Sequence, residues 1–378
     1  MKKQNKIYWI VGVVVVILII ILSFITNRKE SSSEVVKIGV LGDLTGDLSS
    51  LFRGVPRGVD MAKLDIEKEK DVKLQIFLED QESCNPQNTI SLMNKFINID
   101  KVDFVVGGSC SGTTLVAAPL ANEGKLPIIS PVSSVPNITE AGGYVFRTYI
   151  SDSERTEKSA ELAYSLGFRR MAVLKDISAE TEVSSSSGGR KRFEELGGVV
   201  VSDESLTIND KDFKTQLSKI KLSKPDVLFL CVISPGQISI ITKQMKELGL
   251  DIQIIMPNEI AQNNELLVEA KEYVDGLIYT LPGDAPLSDK LIQLKDYYKL
   301  IYNEEAIPIY TLEAYDAVWL GTLAVLKSDR TKESIKDSLY QVSQDYKGVS
   351  GDVEFDENGD VHKSVVFYQI KDGKFIRY

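Results

Sequence analysis

The sequence predicts an α/β protein made of two doubly wound, Rossmann-like lobes, preceded by an apolar N-terminal segment. Three observations carry that prediction. From Val35 onward, short apolar runs alternate with amphipathic stretches, as βαβ units on a mostly parallel sheet require. The rhythm restarts after Tyr149, which implies two lobes and not one oversized sheet. With 378 residues, of which 43% are hydrophobic and 26% charged, the chain can supply two cores of about 100–150 residues each.

The first set opens with Val36–Leu41, a β-rich run ending in Gly42-Asp43-Leu44-Thr45-Gly46. Phe52–Lys68 reads as a helix because Val55, Val59, Ala62 and Ile66 share one face. Lys73–Leu78, Val102–Val106 and Leu126–Ile129 read as strands, with helices at Asn88–Ile97 and Thr113–Asn122 between them.

The second set contains helices at Glu154–Leu166, Gly189–Glu195, Phe213–Ile220 and Ile238–Leu248. Its strands are Met171–Leu174, Val199–Leu206, Val227–Val232, Ile252–Met256 and Gly276–Tyr279. The tail then gives three helices, Asp289–Tyr302, Thr311–Lys327 and Lys332–Val342. Short strands at Val353–Phe355, Val365–Ile370 and Phe375–Arg377 follow, separated by glycine-containing turns.

Lys2, Lys3 and Lys6 precede an apolar stretch, Tyr8 to Thr26, that is long enough to cross a bilayer as a helix. Its exit lacks an Ala-x-Ala cleavage pattern and a cysteine to accept a lipid, so an uncleaved transmembrane anchor is expected over a cleaved signal peptide. The leading lysines place the amino terminus in the cytoplasm and the remainder outside, where a cleaved chain would be secreted or periplasmic. The formal net charge of −10, with no basic run after Lys29, argues against a nucleic-acid partner. Cys231 lies inside an apolar strand, as a buried thiol would. Cys84 and Cys110 each follow a strand, and neighbouring parallel strands would bring them close. Spacing alone leaves a disulfide between them open.

An enzyme is not expected. The one histidine, His362, lies in a predicted hairpin strand near the carboxyl terminus and reads as a surface residue. Gly107 to Gly112 lacks the Gly-x-Ser-x-Gly spacing of a nucleophile elbow. No Cys/His metal spacing and no phosphate-binding glycine loop follow any strand, so neither metal nor cofactor is expected. Asp356, Asn358 and Asp360 imitate the start of a calcium loop, but Phe367 stands where the closing glutamate belongs, so they read as a turn.

What remains is a pair of polar strand ends. Ligands of open α/β sheets sit outside the carboxyl ends of the strands. Ser111-Gly112-Thr113-Thr114 offers hydroxyls and helix N-terminal N–H groups suited to a carboxylate. Ser130-Pro131-Val132-Ser133-Ser134 offers carbonyls and hydroxyls suited to an ammonium. Helix capping would also account for either loop.

With those loops in place, the chain resembles the type I periplasmic solute-binding proteins, in the leucine/isoleucine/valine-binding branch of ABC-transporter receptors. The resemblance runs from about Val36 to Tyr378. It rests on Ile38-Gly39-Val40-Leu41-Gly42 with Thr45-Gly46, Glu79-Asp80 with Cys84-Asn85-Pro86, Val106 to Ser111, Pro127 to Pro131, Tyr310 to Ala317 and Phe355 to Asp360. It implies two lobes joined by three hinge crossovers: residues 35–151 with 282–347, and residues 152–281 with 348–378, after a segment 1–34. It also implies a Cys84–Cys110 disulfide, a ligand α-carboxylate on Ser111 beside Thr113, and an α-ammonium on the Val132 carbonyl and Ser134. An acid from the second lobe, Glu259 or else the neighbouring Asn258, would complete the ammonium site.

The sequence departs from that pattern elsewhere. Leu51 and Phe52 stand where the first loop often carries an aromatic, Glu180-Thr181 where Tyr-Gly is usual, and Ile233-Ser234-Pro235 where an aromatic is typical. The expected function is capture of an amino acid or similar small polar ligand for an ABC permease. The alternative is a sensing or scavenging ectodomain with no permease.

Overall fold

The computed structural model describes residues 34–46, 48–283 and 287–378, so the expected anchor and its alternative, a signal peptide, lie outside the described residues. Among the described residues no helix is long and apolar enough to cross a membrane.

The first sheet has five parallel strands: β1 (Glu34–Gly42), β2 (Val72–Asp80), β3 (Phe104–Val106), β4 (Ile128–Ser130) and β5 (Val145–Arg147). Their order is β2-β1-β3-β4-β5. Helix α1 (Ser49–Phe52) and helix α2 (Gly54–Glu69) follow β1, and α2 buries the stripe Val55, Val59, Ala62 and Ile66 that its spacing predicts. Helix α3 (Pro86–Lys95) starts where the Asn85 side chain accepts from the Gln87 and Asn88 amides, with Pro86 at the first turn. Helix α4 (Ser111–Glu123) follows β3.

The second sheet runs β12-β11-β10-β9-β8-β6-β7. Its parallel strands are β6 (Arg170–Asp176), β7 (Val199–Leu206), β8 (Val227–Cys231), β9 (Gln253–Met256) and β10 (Ile278–Pro282). The hairpin β11 (Val365–Lys371) and β12 (Lys374–Arg377) adds antiparallel to β10. Helices α5 (Asp152–Ser165), α6 (Glu180–Glu195), α7 (Lys214–Ser223), α8 (Pro235–Glu247) and α9 (Asn264–Ala270) lie on this sheet. Helices α10 (Asp289–Tyr302), α11 (Thr311–Lys327) and α12 (Lys332–Asp345) return to the first sheet, where Leu294, Tyr298, Tyr315 and Leu339 join its core. The chain therefore crosses between the sheets three times: after β5, after β10 and before β11.

Three expectations need correction, and two elements were not expected. Strands β2 and β3 are not neighbours, because β1 lies between them. Cys84 and Cys110 still meet in a disulfide, with Cα atoms 5.9 Å apart, because the turn after β2 curls over the end of β1. Three consecutive left-handed residues, Glu82, Ser83 and Cys84, make that curl, and the Cys84 amide donates to Asp43 at 2.9 Å.

Helix α6 starts at Glu180, not at the expected Gly189, so Ser184–Ser187 lie inside it. Its small residues allow close packing: a side chain on Gly188 would meet Thr156 of α5, and one on Gly189 would meet the Phe229 ring of β8. Tertiary contact thus overrides weak helix propensity.

Val353–Phe355 forms only one bridge, Phe355 to Val361, because Val353 and Phe355 fill the first core instead of pairing along a strand. Finally, β5 and α9 carried too little periodicity to be read from the sequence.

Candidate functional site

The carboxyl ends of the two sheets face a cavity of about 350 Å³. From the first sheet come Leu48, Leu51 and Phe52 after β1, Ser109 to Gly112 after β3, and Val132 and Ser134 after β4. From the second come Ser178 to Glu182 after β6, Ile233 after β8, and Asn258 to Ile260 after β9. Asp152 and Arg155 of α5, and Tyr310 before α11, complete the wall. A cavity of about 490 Å³ lies at the opposite, amino ends of β9 and β10, where among the described residues no helix N-terminus or buried charge pair converges. Another, of about 670 Å³, lies beyond Tyr149, Tyr310 and Glu259 toward the crossovers.

Ser111 begins α4, and its Oγ accepts from the Ser134 and Val135 amides at 3.2 and 3.4 Å. Among the described residues no hydrogen bond uses its own O–H, which lies at the cavity wall beside the N–H groups of the helix N-terminus. The loop after β4 is held by Ser133 Oγ, which bonds Thr114 and Ser130 at 2.7 and 2.8 Å. Ser134 Oγ donates to Asp152 at 3.0 Å, tying the first-sheet loop to the first turn of α5.

The opposite wall is charged and buried. Asp152, Arg155, Glu182 and Glu259 are exposed by only 1%, 3%, 3% and 7%. Arg155 donates Nη2 to Asp152 at 2.5 Å and Nη1 to Glu259 and to the Tyr149 hydroxyl. Its Nε has no hydrogen-bond partner among the described residues. Burial opposes ionisation of Glu259, but the Arg155 charge overcomes it and holds the carboxyl below its ordinary range. Glu182 differs. Its neighbours are the Asn258 amide at 3.0 Å and the Thr181 hydroxyl at 3.5 Å. Burial, and then the negative charge of Asp152, push its pKa up to about 8.

Tyr310 links the halves. Its ring stacks on Phe52 with centroids 5.8 Å apart, and its hydroxyl donates to Glu259 at 2.9 Å. Apolar surface from Leu48, Leu51, Phe52, Ile233 and Ile260 covers the rest of the cavity.

Of the residues singled out from the sequence, Leu51, Phe52, Ser111, Val132, Ser134, Asn258 and Glu259 all line this cavity. Thr113 does not. Its hydroxyl turns back onto Cys110, donating to the carbonyl at 2.8 Å and accepting from the amide at 3.3 Å, which caps α4. Both Glu259 oxygens are engaged, by Arg155 and Tyr310. Sequence reading missed Asp152, Arg155 and Glu182. An Asp-x-x-Arg pair opening the helix after Tyr149, and an acid just past the end of β6, were the signals available.

Residues 35–374 match the sequence model for "Periplasmic binding protein". Among curated proteins, the leucine-, isoleucine-, valine-, threonine- and alanine-binding protein of Pseudomonas aeruginosa is 27% identical, covering 87% of this chain and 88% of that protein. The Leu/Ile/Val-binding protein of Escherichia coli is 25% identical, covering 87% and 89%. Among solved structures, a leucine binding protein from Thermotoga maritima superposes with a TM-score of 0.79 at 28% identity, covering 91% of this chain and 97% of that one. A branched-chain amino acid transporter substrate-binding protein from Streptococcus pneumoniae, in complex with isoleucine, shares the fold with a TM-score of 0.75 at 23% identity, covering 91% and 100%.

Proposed function

Because the chain belongs to the periplasmic binding protein family, we propose that it captures an amino acid between its two lobes and presents it to an ABC permease outside the cytoplasm. One observation carries this reading: a hydroxyl-bearing helix N-terminus at Ser111 faces a wall of buried carboxylates across a cavity of about 350 Å³. That polarity matches a zwitterion. The α-carboxylate takes the Ser111 hydroxyl and the N–H groups of α4. The α-ammonium takes the Val132 carbonyl, the Ser134 hydroxyl and Asp152. Asn258 orients Glu182, and Glu259 acts by holding Arg155 and Tyr310. Leu51 and Phe52 pack the carbon skeleton of the ligand.

No bond is made or broken in this scheme; lobe closure around the ligand is the functional event. We take residues 35–151 with 282–361 as one lobe and 152–281 with 362–378 as the other, moving the last expected boundary from 347 because Val353, Phe355 and Val361 pack in the first core. We further propose that residues 1–34 tether the receptor to the extracytoplasmic face of the membrane. An intact mass of the membrane-extracted protein that includes residues 1–34 supports the tether, and a mature chain starting near Glu34 in the soluble fraction rules it out.

Calorimetric titration of the full chain in detergent, wild type and Ser111→Ala, against the common amino acids tests the ligand class. Binding that weakens about tenfold in the variant is expected, from loss of one charge-assisted hydrogen bond. Equal binding by both proteins would remove Ser111 from the site.

A further inference from the structure

The acids around the cavity outnumber the bases. Asp152, Glu182 and Glu259 are all buried, and Arg155 is the one cation among the described residues that lines the cavity. Arg155 divides its two Nη atoms between Asp152 and Glu259. Among the described residues, Glu182 forms no ion pair with any Lys, Arg or His. A buried carboxylate whose hydrogen bonds come from one amide and one distant hydroxyl, with the Arg155 charge helping without pairing to it, is costly to ionise. Such a group lowers its free energy if a ligand delivers a positive charge to it.

The position of Glu182 says which part of a ligand would do so. The head-group seat, Ser111 and Ser134, belongs to the first sheet, whereas Glu182 sits on the first turn of α6, on the second. Leu51, Phe52 and Glu182 line the same cavity, so a side chain leaving the head group has apolar surface and then this carboxyl group within one enclosure. Glu180, exposed at the rim, adds negative charge on the same turn. We propose that Glu182 seats a second cationic group, so that the preferred ligand is an amino acid with a basic side chain. This inference rests on the amino-acid reading above and narrows it.

Proton linkage follows. With its pKa near 8, Glu182 is largely protonated in the free protein at pH 7, and an arriving ammonium or guanidinium displaces that proton. Binding of a basic amino acid therefore releases a proton, whereas binding of leucine does not.

The test is titration of the full chain in detergent with lysine, ornithine and arginine, with leucine, isoleucine and valine, and with aspartate and glutamate. Each is run at pH 7 in two buffers of different ionisation enthalpy. The basic set is expected to bind at least about tenfold more tightly than the branched-chain set, with proton release. Glu182→Gln is expected to weaken lysine about 10- to 100-fold and to abolish the release. Tighter binding of leucine, isoleucine or valine would overturn this inference and leave amino-acid capture standing. Tighter binding of aspartate or glutamate would do the same and assign selectivity to Arg155. Unchanged lysine affinity in Glu182→Gln would also overturn it. Absence of binding by any of the eight overturns this inference, and the amino-acid reading falls with it only if none of the remaining common amino acids binds either. If Glu182→Gln fails to fold, the wild-type preference and its proton release decide alone.

Discussion

Glu182 is the residue whose environment is most at odds with its chemistry. Its folded pKa, about 8, stands above the ordinary 4.5, so the native chain binds this proton more tightly than the unfolded chain. The stabilisation it gives is fully present below about pH 4.5 and is lost as pH rises through about 8. Thermal melts of the ligand-free protein should therefore show this group's contribution falling between those limits. Glu182→Gln should flatten that slope and stabilise the protein at pH 9 by about 1–3 kcal/mol. A variant melting below wild type at pH 9 would contradict it. Ser111 shows why one residue was legible and the other was not. Ser111 stands at a strand end that opens a helix, a position readable from local pattern. The burial of Glu182 arises from α5, β8 and the loop after β9, which approach it only in the fold.

Elements carry their own lesson. Apolar periodicity located α2 and α11 well, because Val55, Val59, Ala62 and Ile66 on α2 and the long apolar face of α11 are buried where their spacing says. It failed at α6, whose first half has almost no apolar residues and is helical because it lies against α5 and β8. Packing that depends on a missing side chain makes a prediction. In Gly189→Val the new side chain would have to enter the space held by the Phe229 ring, since even a Cβ there lies 2.5 Å from it. A loss of about 1–3 kcal/mol in denaturant unfolding is expected, and an unchanged midpoint would contradict the packing. The disulfide closes a loop with a sequence separation of 26 residues. Its removal by Cys84→Ala with Cys110→Ala should cost about 3.5 kcal/mol by the loop-entropy relation. A double variant as stable as wild type would show that the curl over β1 holds without it.

At the scale of the whole molecule, two sheets and three crossings were legible because βα rhythm and its restart are long-range patterns that survive local error. How the lobes meet was not legible, since it depends on single contacts between distant segments. Tyr310 to Glu259 is one such contact, joining the loop before α11 to the loop after β9. Another lies at the third crossing: Lys363 donates to the Ser350 carbonyl and hydroxyl at 2.9 and 2.8 Å, and Ser350 donates its amide and hydroxyl to Asp316. Burial lowers the Lys363 pKa and raises that of Asp316, so this charge network has little solvent to relax it. Tyr310→Phe removes the inter-lobe bond to Glu259 while keeping the ring on Phe52. It should enlarge the radius of gyration of the ligand-free protein in X-ray scattering and weaken ligand binding about fivefold. A variant with wild-type dimensions and affinity would show that this contact does not hold the lobes together.

The central claim is that an amino acid binds in the cavity between the sheets, with its carboxylate on Ser111 and its positive charge on the acidic wall. A crystal structure of the full chain grown with the tightest-binding amino acid tests that claim most directly. The predicted result is density in the cavity with a carboxylate within about 3 Å of Ser111 Oγ and an ammonium within about 3 Å of Ser134 Oγ and Asp152. An empty cavity at saturating ligand, or a ligand bound with its carboxylate facing Glu182 and Glu259, would contradict it.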